Sequence, residues 1–94
     1  MKHHIIVKFR EGVDVDALLE PVERIFAETL TIPGVRALAL KRSCVDRSNR
    51  FDLMIVLDMD REALPAYDGS EPHHRWKSEY GALVERKAIF DCEE

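Results

Sequence analysis

A chain of 94 residues, 46% of them apolar and 34% charged, makes one soluble domain spanning residues 1–94 and leaves no room for a second core. Its net charge of −4, with both signs interspersed, argues against nucleic acid as a partner, since neutralising phosphate needs a basic stripe. Arg42, Arg47 and Arg50 are the nearest approach to such a stripe, and they stand beside acids.

His3 to Phe9 is rich in β-branched residues and reads as a strand, with His3, Ile5, Val7 and Phe9 on one face and His4, Ile6 and Lys8 on the other. Glu11-Gly12 ends it. From Val15 the period changes to three and four (Val15, Leu18, Leu19, Val22, Ile25, Phe26, Leu30), which predicts an amphipathic helix capped by Asp14 or Asp16. Pro21 lies inside it and removes a hydrogen bond. Ile32-Pro33-Gly34 stops the helix, and Val35 to Arg42 follows as a second strand. A polar loop runs from Ser43 to Arg50. Phe51 to Met59 is almost continuously apolar, with Leu53, Ile55 and Leu57 facing one way and Met54 and Val56 the other, so this strand needs cover on both sides. Asp60 is expected to cap a short helix from Arg61 to about Tyr67, and Asp68-Gly69 turns the chain. Pro72 suits a first helical position, and the helix after it presents His73, Trp76, Tyr80, Leu83 and Val84 as its apolar face. Lys87 to Asp91 is the last strand, followed by a tail, 92–94.

This order, β-α-β-β-α-β, is the split βαβ or ferredoxin-like plan: an α+β fold with a four-stranded antiparallel sheet and both helices on one face. Ile6, Met54 and Val56 then lie on the uncovered face, and the simplest cover is a second copy of the chain, giving a homodimer built as an α/β barrel.

With Lys2-His3 leading into Ile5-Ile6-Val7-Lys8-Phe9, Ile32-Pro33-Gly34 after the first helix, Phe51-Asp52 at the central strand, and Tyr67 followed by Pro72 and histidines, the chain resembles the stress-responsive dimeric α/β-barrel (Dabb) family over nearly its whole length. The resemblance implies a dimeric barrel with a cleft between sheet and helices in each subunit. One plant branch of that family cyclises polyketides by aldol condensation using His and Tyr, with no metal or organic cofactor; other members are stress proteins. The chain departs from the family pattern of Tyr, two residues, then His-Pro-x-His. Here three residues follow Tyr67 before Glu71-Pro72-His73-His74, so Glu71 replaces a histidine and either His73 or His74 could align with the second. Helical periodicity groups His73 with Trp76 and Tyr80 and leaves His74 on the polar face, which favours His73. The interval from Tyr67 to His73 also resembles that of the cyclase branch.

Chemistry of this kind needs a base near neutral pKa and a donor for the enolate oxygen. His73 would be the base, Tyr67 the donor and His3 a second imidazole, with Ile5, Val7, Val22, Ile25 and Trp76 lining the cleft for a flat apolar or aromatic molecule. The plainer readings are that His3 satisfies a backbone carbonyl, that Tyr67 caps its helix with the ring inward and the hydroxyl in water, and that Trp76 and Tyr80 are core. Neither histidine pair chelates a metal by itself. Cys44 and Cys92 lack CxxC spacing and are expected as thiols rather than a disulfide. No apolar run has signal-peptide or membrane-spanning length, so a cytoplasmic location is expected. Three functions remain open: a stress-type barrel that binds a small apolar or aromatic ligand, a cofactor-independent enzyme of the cyclase or barrel-monooxygenase type, and a dimer without a ligand.

Overall fold

The structure, a computed structural model, describes residues 1–93. Strand β1 runs Lys2–Phe9, and its strict alternation of buried and half-buried residues follows the sequence period of two. Helix α1 spans Val15–Ala27 and is capped by the Asp14 carboxylate, which accepts from the Ala17 amide at 3.3 Å. Asp16, the other candidate cap, instead pairs with Arg42 at 3.0 Å. Pro21 is accommodated inside α1, which continues for six further residues. The helix then tightens into a 3₁₀ turn, Glu28–Thr31. That turn carries Leu30 off the apolar stripe, leaving it 42% exposed, and buries Thr29, whose hydroxyl donates to the Phe26 carbonyl at 2.6 Å.

Strand β2 spans Val35–Arg42 and β3 spans Leu53–Met59. Phe51 and Asp52, expected inside the central strand, precede it. Asp52 extends the ladder by another route: its amide donates to the Val7 carbonyl and its carboxylate accepts from the Phe9 amide, both at 2.8 Å. The short helix after β3 is a 3₁₀ turn, Arg61–Ala63, running into α2, Leu64–Asp68. Asp60 occupies the cap position, but its carboxylate is drawn away to Arg36 at 2.5 Å. Helix α3 spans Glu71–Tyr80 with Pro72 in its first turn. It is shorter than its apolar pattern implied: Leu83 falls in a 3₁₀ turn, Gly81–Leu83, and Val84 opens strand β4, Val84–Cys92. Strand β4 therefore takes in Cys92 from the expected tail, while Glu94 lies outside the described residues.

The strands form one antiparallel sheet in the order β2-β3-β1-β4, the split βαβ arrangement. Ile5 and Val7 from β1 and Ile55, Leu57 and Met59 from β3 pack against Val22 and Phe26 of α1, all at most 2% exposed. Trp76 joins this core from α3, its ring centroid 5.5 Å from that of Phe26. Val7, Val22 and Ile25, expected to line a cleft, are part of this dry core, with Ile25 6% exposed and the other two wholly buried. The opposite sheet face carries the half-buried Ile6, Met54, Val56 and Ala88, with Phe90 at 60% exposure. Among the described residues, no helix is long and apolar enough to cross a membrane.

Gly34 joins the two halves of the fold. It has φ +93°, and a Cβ there would stand 3.0 Å from Ala63 Cβ and 3.2 Å from Asp60 Oδ2. Gly12 has φ +88° but open space around it. Gly34→Ala is therefore expected to lose about 2–4 kcal/mol and Gly12→Ala about 1–2 kcal/mol, the difference being the clash added to the same left-handed strain. Urea denaturation of the two variants measures both.

Candidate functional site

The helices cover the sheet unevenly. Ile5 on β1 is 2% exposed, yet its antiparallel partner on β4, Ile89, faces the same side and is 50% exposed. The helical layer stops short of the edge strand, and a cavity of about 290 Å³ opens there between β1, β4, α2 and α3. Ile5, Leu64, Trp76 and Ile89 give it apolar walls. His3, Tyr67 and His73 also line it, so the three polar residues singled out in the sequence meet in one place. His74 points elsewhere and is exposed on the outer surface of α3.

Tyr67 is the centre of this group. Its ring is packed between two imidazoles, with centroids 5.3 Å from His3 and 4.8 Å from His73. The residue is wholly buried, and its hydroxyl is the one buried side-chain polar atom among the described residues without a hydrogen-bond partner. The reading of Tyr67 as a cap with a wet hydroxyl is thus overturned: an amphipathic ring on a short surface helix usually keeps its oxygen in water, but here β1 and α3 close over it. Burial, reinforced by the nearby Asp68 carboxylate, raises the phenol's pKa well above its ordinary value, so it remains a neutral donor.

Each imidazole is held by its Nδ1. His73 Nδ1 stands 2.9 Å from the Asp68 carbonyl, which can only accept, so the proton is on Nδ1 and the lone pair on Nε2. Burial lowers the pKa of His73; the Asp68 carbonyl opposes that shift, and the positive charge of Lys77 adds to it. His3, 5% exposed, meets a carboxylate rather than the backbone carbonyl of the plainer reading: its Nδ1 is 2.5 Å from Asp91 Oδ1. Asp91 went unnoticed in the sequence. Its signal was topological, because pairing β1 against an antiparallel β4 sets the start of one strand opposite the end of the other, and the register does place His3 against Asp91.

The turn between α2 and α3 fixes the spacing of Tyr67 and His73. Ser70 caps α3 by accepting from the His73 amide at 3.3 Å, and its hydroxyl donates back to the Tyr67 carbonyl at 2.7 Å. Asp68 and Gly69, within the lengthened interval, are exposed, while the Asp68 carbonyl serves His73 from beneath. A larger polar groove of about 650 Å³ lies at the far end of the sheet, between the loops after β1 and β2, and shares none of these residues. No group of three or more His, Cys, Asp or Glu among the described residues is placed to hold a metal ion.

No protein-family model matches the chain, and no curated protein is similar to it in sequence. Solved structures do match it, over almost its whole length. A dimeric ferredoxin-like protein of unknown function from Thermobifida fusca superposes with a TM-score of 0.77 at 16% identity, covering 95% of this chain and 85% of that one. A hydroxynitrile lyase from Passiflora edulis gives 0.72 at 11% identity, covering 99% and 94%. An antibiotic biosynthesis monooxygenase gives 0.67 at 19% identity, covering both chains completely. At these identities the likeness establishes the ferredoxin-like fold.

The lowered pKa of His73 sets a direction for pH dependence. The unfolded chain binds a proton at this position more readily than the folded one, so stability falls as pH drops through the ordinary imidazole range and is restored above it. Stability of the native protein is expected to decline between about pH 7.5 and about pH 5.5, and in His73→Gln this part of the decline should vanish. Urea midpoints across that range measure it; parallel curves for the two proteins would contradict the assignment.

Proposed function

We propose that this chain forms a dimeric α/β barrel of the Dabb type in which each subunit's cleft takes a small, flat carbonyl compound and moves a proton next to the carbonyl. The observation that carries the reading is the Tyr67 hydroxyl: buried, without a partner, and set between two imidazoles whose Nδ1 atoms are already engaged. A buried hydroxyl left unsatisfied costs about 1–3 kcal/mol, a cost recovered when a ligand oxygen accepts from it.

In this reading the substrate's carbonyl oxygen accepts from Tyr67. His73 Nε2 takes a proton from the adjacent carbon; the C–H bond breaks, an N–H bond forms, and the electron pair moves onto the oxygen as an enolate. The neutral phenol stabilises that charge most strongly where apolar walls exclude water. The lowered pKa of His73 keeps it unprotonated near neutrality and ready to accept. The Nε2–H of His73, exchanged with solvent, then returns to the carbon as the enolate collapses, while His3, held by Asp91, packs against the Tyr67 ring. Ligand binding with acid–base turnover is favoured over a ligand-free structural dimer because packing alone gives no reason to bury the phenol without a partner.

Exchange of the protons next to the carbonyl of phenylacetone in heavy water, followed by proton NMR, tests the reading. The wild-type protein should accelerate exchange, and His73→Ala and Tyr67→Phe should each reduce the acceleration by about 10²–10⁴-fold. Tyr67→Phe should at the same time gain about 1 kcal/mol in urea denaturation, because it removes the unsatisfied hydroxyl. Unchanged exchange in both folded variants would sink the proposal.

The dimer is supported by the uncovered sheet face and by the Thermobifida fusca protein of the same fold, which is described as dimeric. Ile6, Met54, Val56 and Phe90 form the apolar middle of that face, and Lys2, Arg36 and Asp58 form a charged rim at one end. Phe90→Glu places a charge in the middle of the patch and is expected to yield monomers by sedimentation velocity at concentrations where the wild type is dimeric. A monomeric wild type would contradict the assignment.

A further inference from the structure

The cleft has charged residues at its mouth that the proton chemistry does not use. Lys77 lines it from α3 and Lys87 from β4, and both residues are exposed. Lys77 lies one helical turn beyond His73 on the same face, and its charge is felt at that imidazole. Lys87 is paired with Val7 in the β1–β4 register, two residues before Ile89 on the helix-facing side of the edge strand. Neither lysine makes an ion pair with any described residue, although acids are frequent in this chain. Of the two acids in the lining, the Asp91 carboxylate is engaged by His3, and the Asp68 carboxylate lies near Tyr67, so the two lysines outweigh the one acid left without a cation.

Two unpaired cations at the rim, apolar walls below them and an unsatisfied donor at the base describe an elongated ligand with one anionic end. We propose that the ligand of this cleft is a small keto acid, its carboxylate held between Lys77 and Lys87 while its ketone oxygen accepts from the Tyr67 hydroxyl. This rests on the reading of the cleft as a carbonyl site and supplies the substrate class that reading leaves open. A carboxylate suits the place because both ammonium groups are solvent-exposed: they attract charge without having to be stripped of water, and they set orientation more than affinity. The apolar part of the ligand then lies against Trp76 and Ile89, whose exposed side chain gains cover. With the carboxylate at the rim, the carbon between it and the ketone, or the one beyond, comes within the reach of His73.

3-Benzoylpropionate and its methyl ester separate this proposal from the one beneath it, since both carry the ring and the ketone, spaced from the end group by two carbons, and only one carries the charge. Binding is measured by isothermal titration calorimetry on wild type, Lys77→Gln/Lys87→Gln and Tyr67→Phe, each checked for native circular dichroism. 3-Benzoylpropionate is expected to bind wild type about tenfold more tightly than the ester, the combined effect of two exposed ion pairs. That preference should vanish in the double lysine variant, and it should shrink between about 20 mM and about 500 mM NaCl. Tyr67→Phe should weaken both compounds alike. Equal binding of acid and ester to wild type, with Tyr67→Phe still weakening both, overturns the keto-acid assignment and leaves the carbonyl site standing. A preference for the acid that survives in the double variant also overturns the role given to the lysines. Binding of neither compound overturns both readings.

Discussion

The controlling constraint in this molecule is one of coverage: a four-stranded sheet is wider than the helices laid across it. Helix α1 seals β1 and β3, and Val22 and Phe26 close over Ile55 and Val7 without a gap. The edge strand β4 is left half-roofed, as the contrast between buried Ile5 and exposed Ile89 shows for two residues facing each other on the same side. The cavity, its polar lining and its charged mouth all occupy that shortfall. Helix α3 gives His73, Trp76 and Lys77 to it from its N-terminal half and ends at Tyr80, where the 3₁₀ turn Gly81–Leu83 returns the chain to the sheet.

Within the gap, polar groups are arranged by backbone features more than by one another. The Asp68 carbonyl holds His73, and Ser70 bridges the Tyr67 carbonyl to the first turn of α3. The single carboxylate contact, Asp91 to His3, comes from direct cross-strand pairing. Groups positioned this way stay in place whether or not a ligand is present, because the elements carrying them are fixed by the core. Such preorganisation is what electrostatic stabilisation of a developing oxyanion requires.

Much of this was legible in the sequence, for identifiable reasons. The strand period of two sorted His3–Phe9 and the almost continuously apolar Leu53–Met59 into two faces, once their length, β-branched content and flanking turns marked both as strands. The same alternation put His3 on the buried side, and helical period separated His73 from His74. What periodicity could not show was where the helical layer ends. Val7, Val22 and Ile25 look no different in sequence from Ile5 and Trp76, yet only the latter two reach the cavity. Likewise Asp91 read as the last residue of a strand, and its pairing with His3 depends on register across 88 positions of chain. The fate of the Tyr67 hydroxyl was hidden for a similar reason, since burial on a five-residue helix is decided by what lies over it.

Strand β4 is a wall shared between two compartments. Ile89 and Asp91 look into the cavity, while Ala88 and Phe90 look out from the other sheet face, and a bulge opposite Lys8 and Phe9 sets which residues do which. Gain or loss of one residue between that bulge and Asp91 would turn the strand inside out, putting a phenylalanine in the cavity and a carboxylate on the apolar face. Lineages descending from this chain should therefore vary in length at the exposed segment 44–50, where neither strand register nor the cavity is at stake, while β4 and the turn between Tyr67 and His73 keep their count.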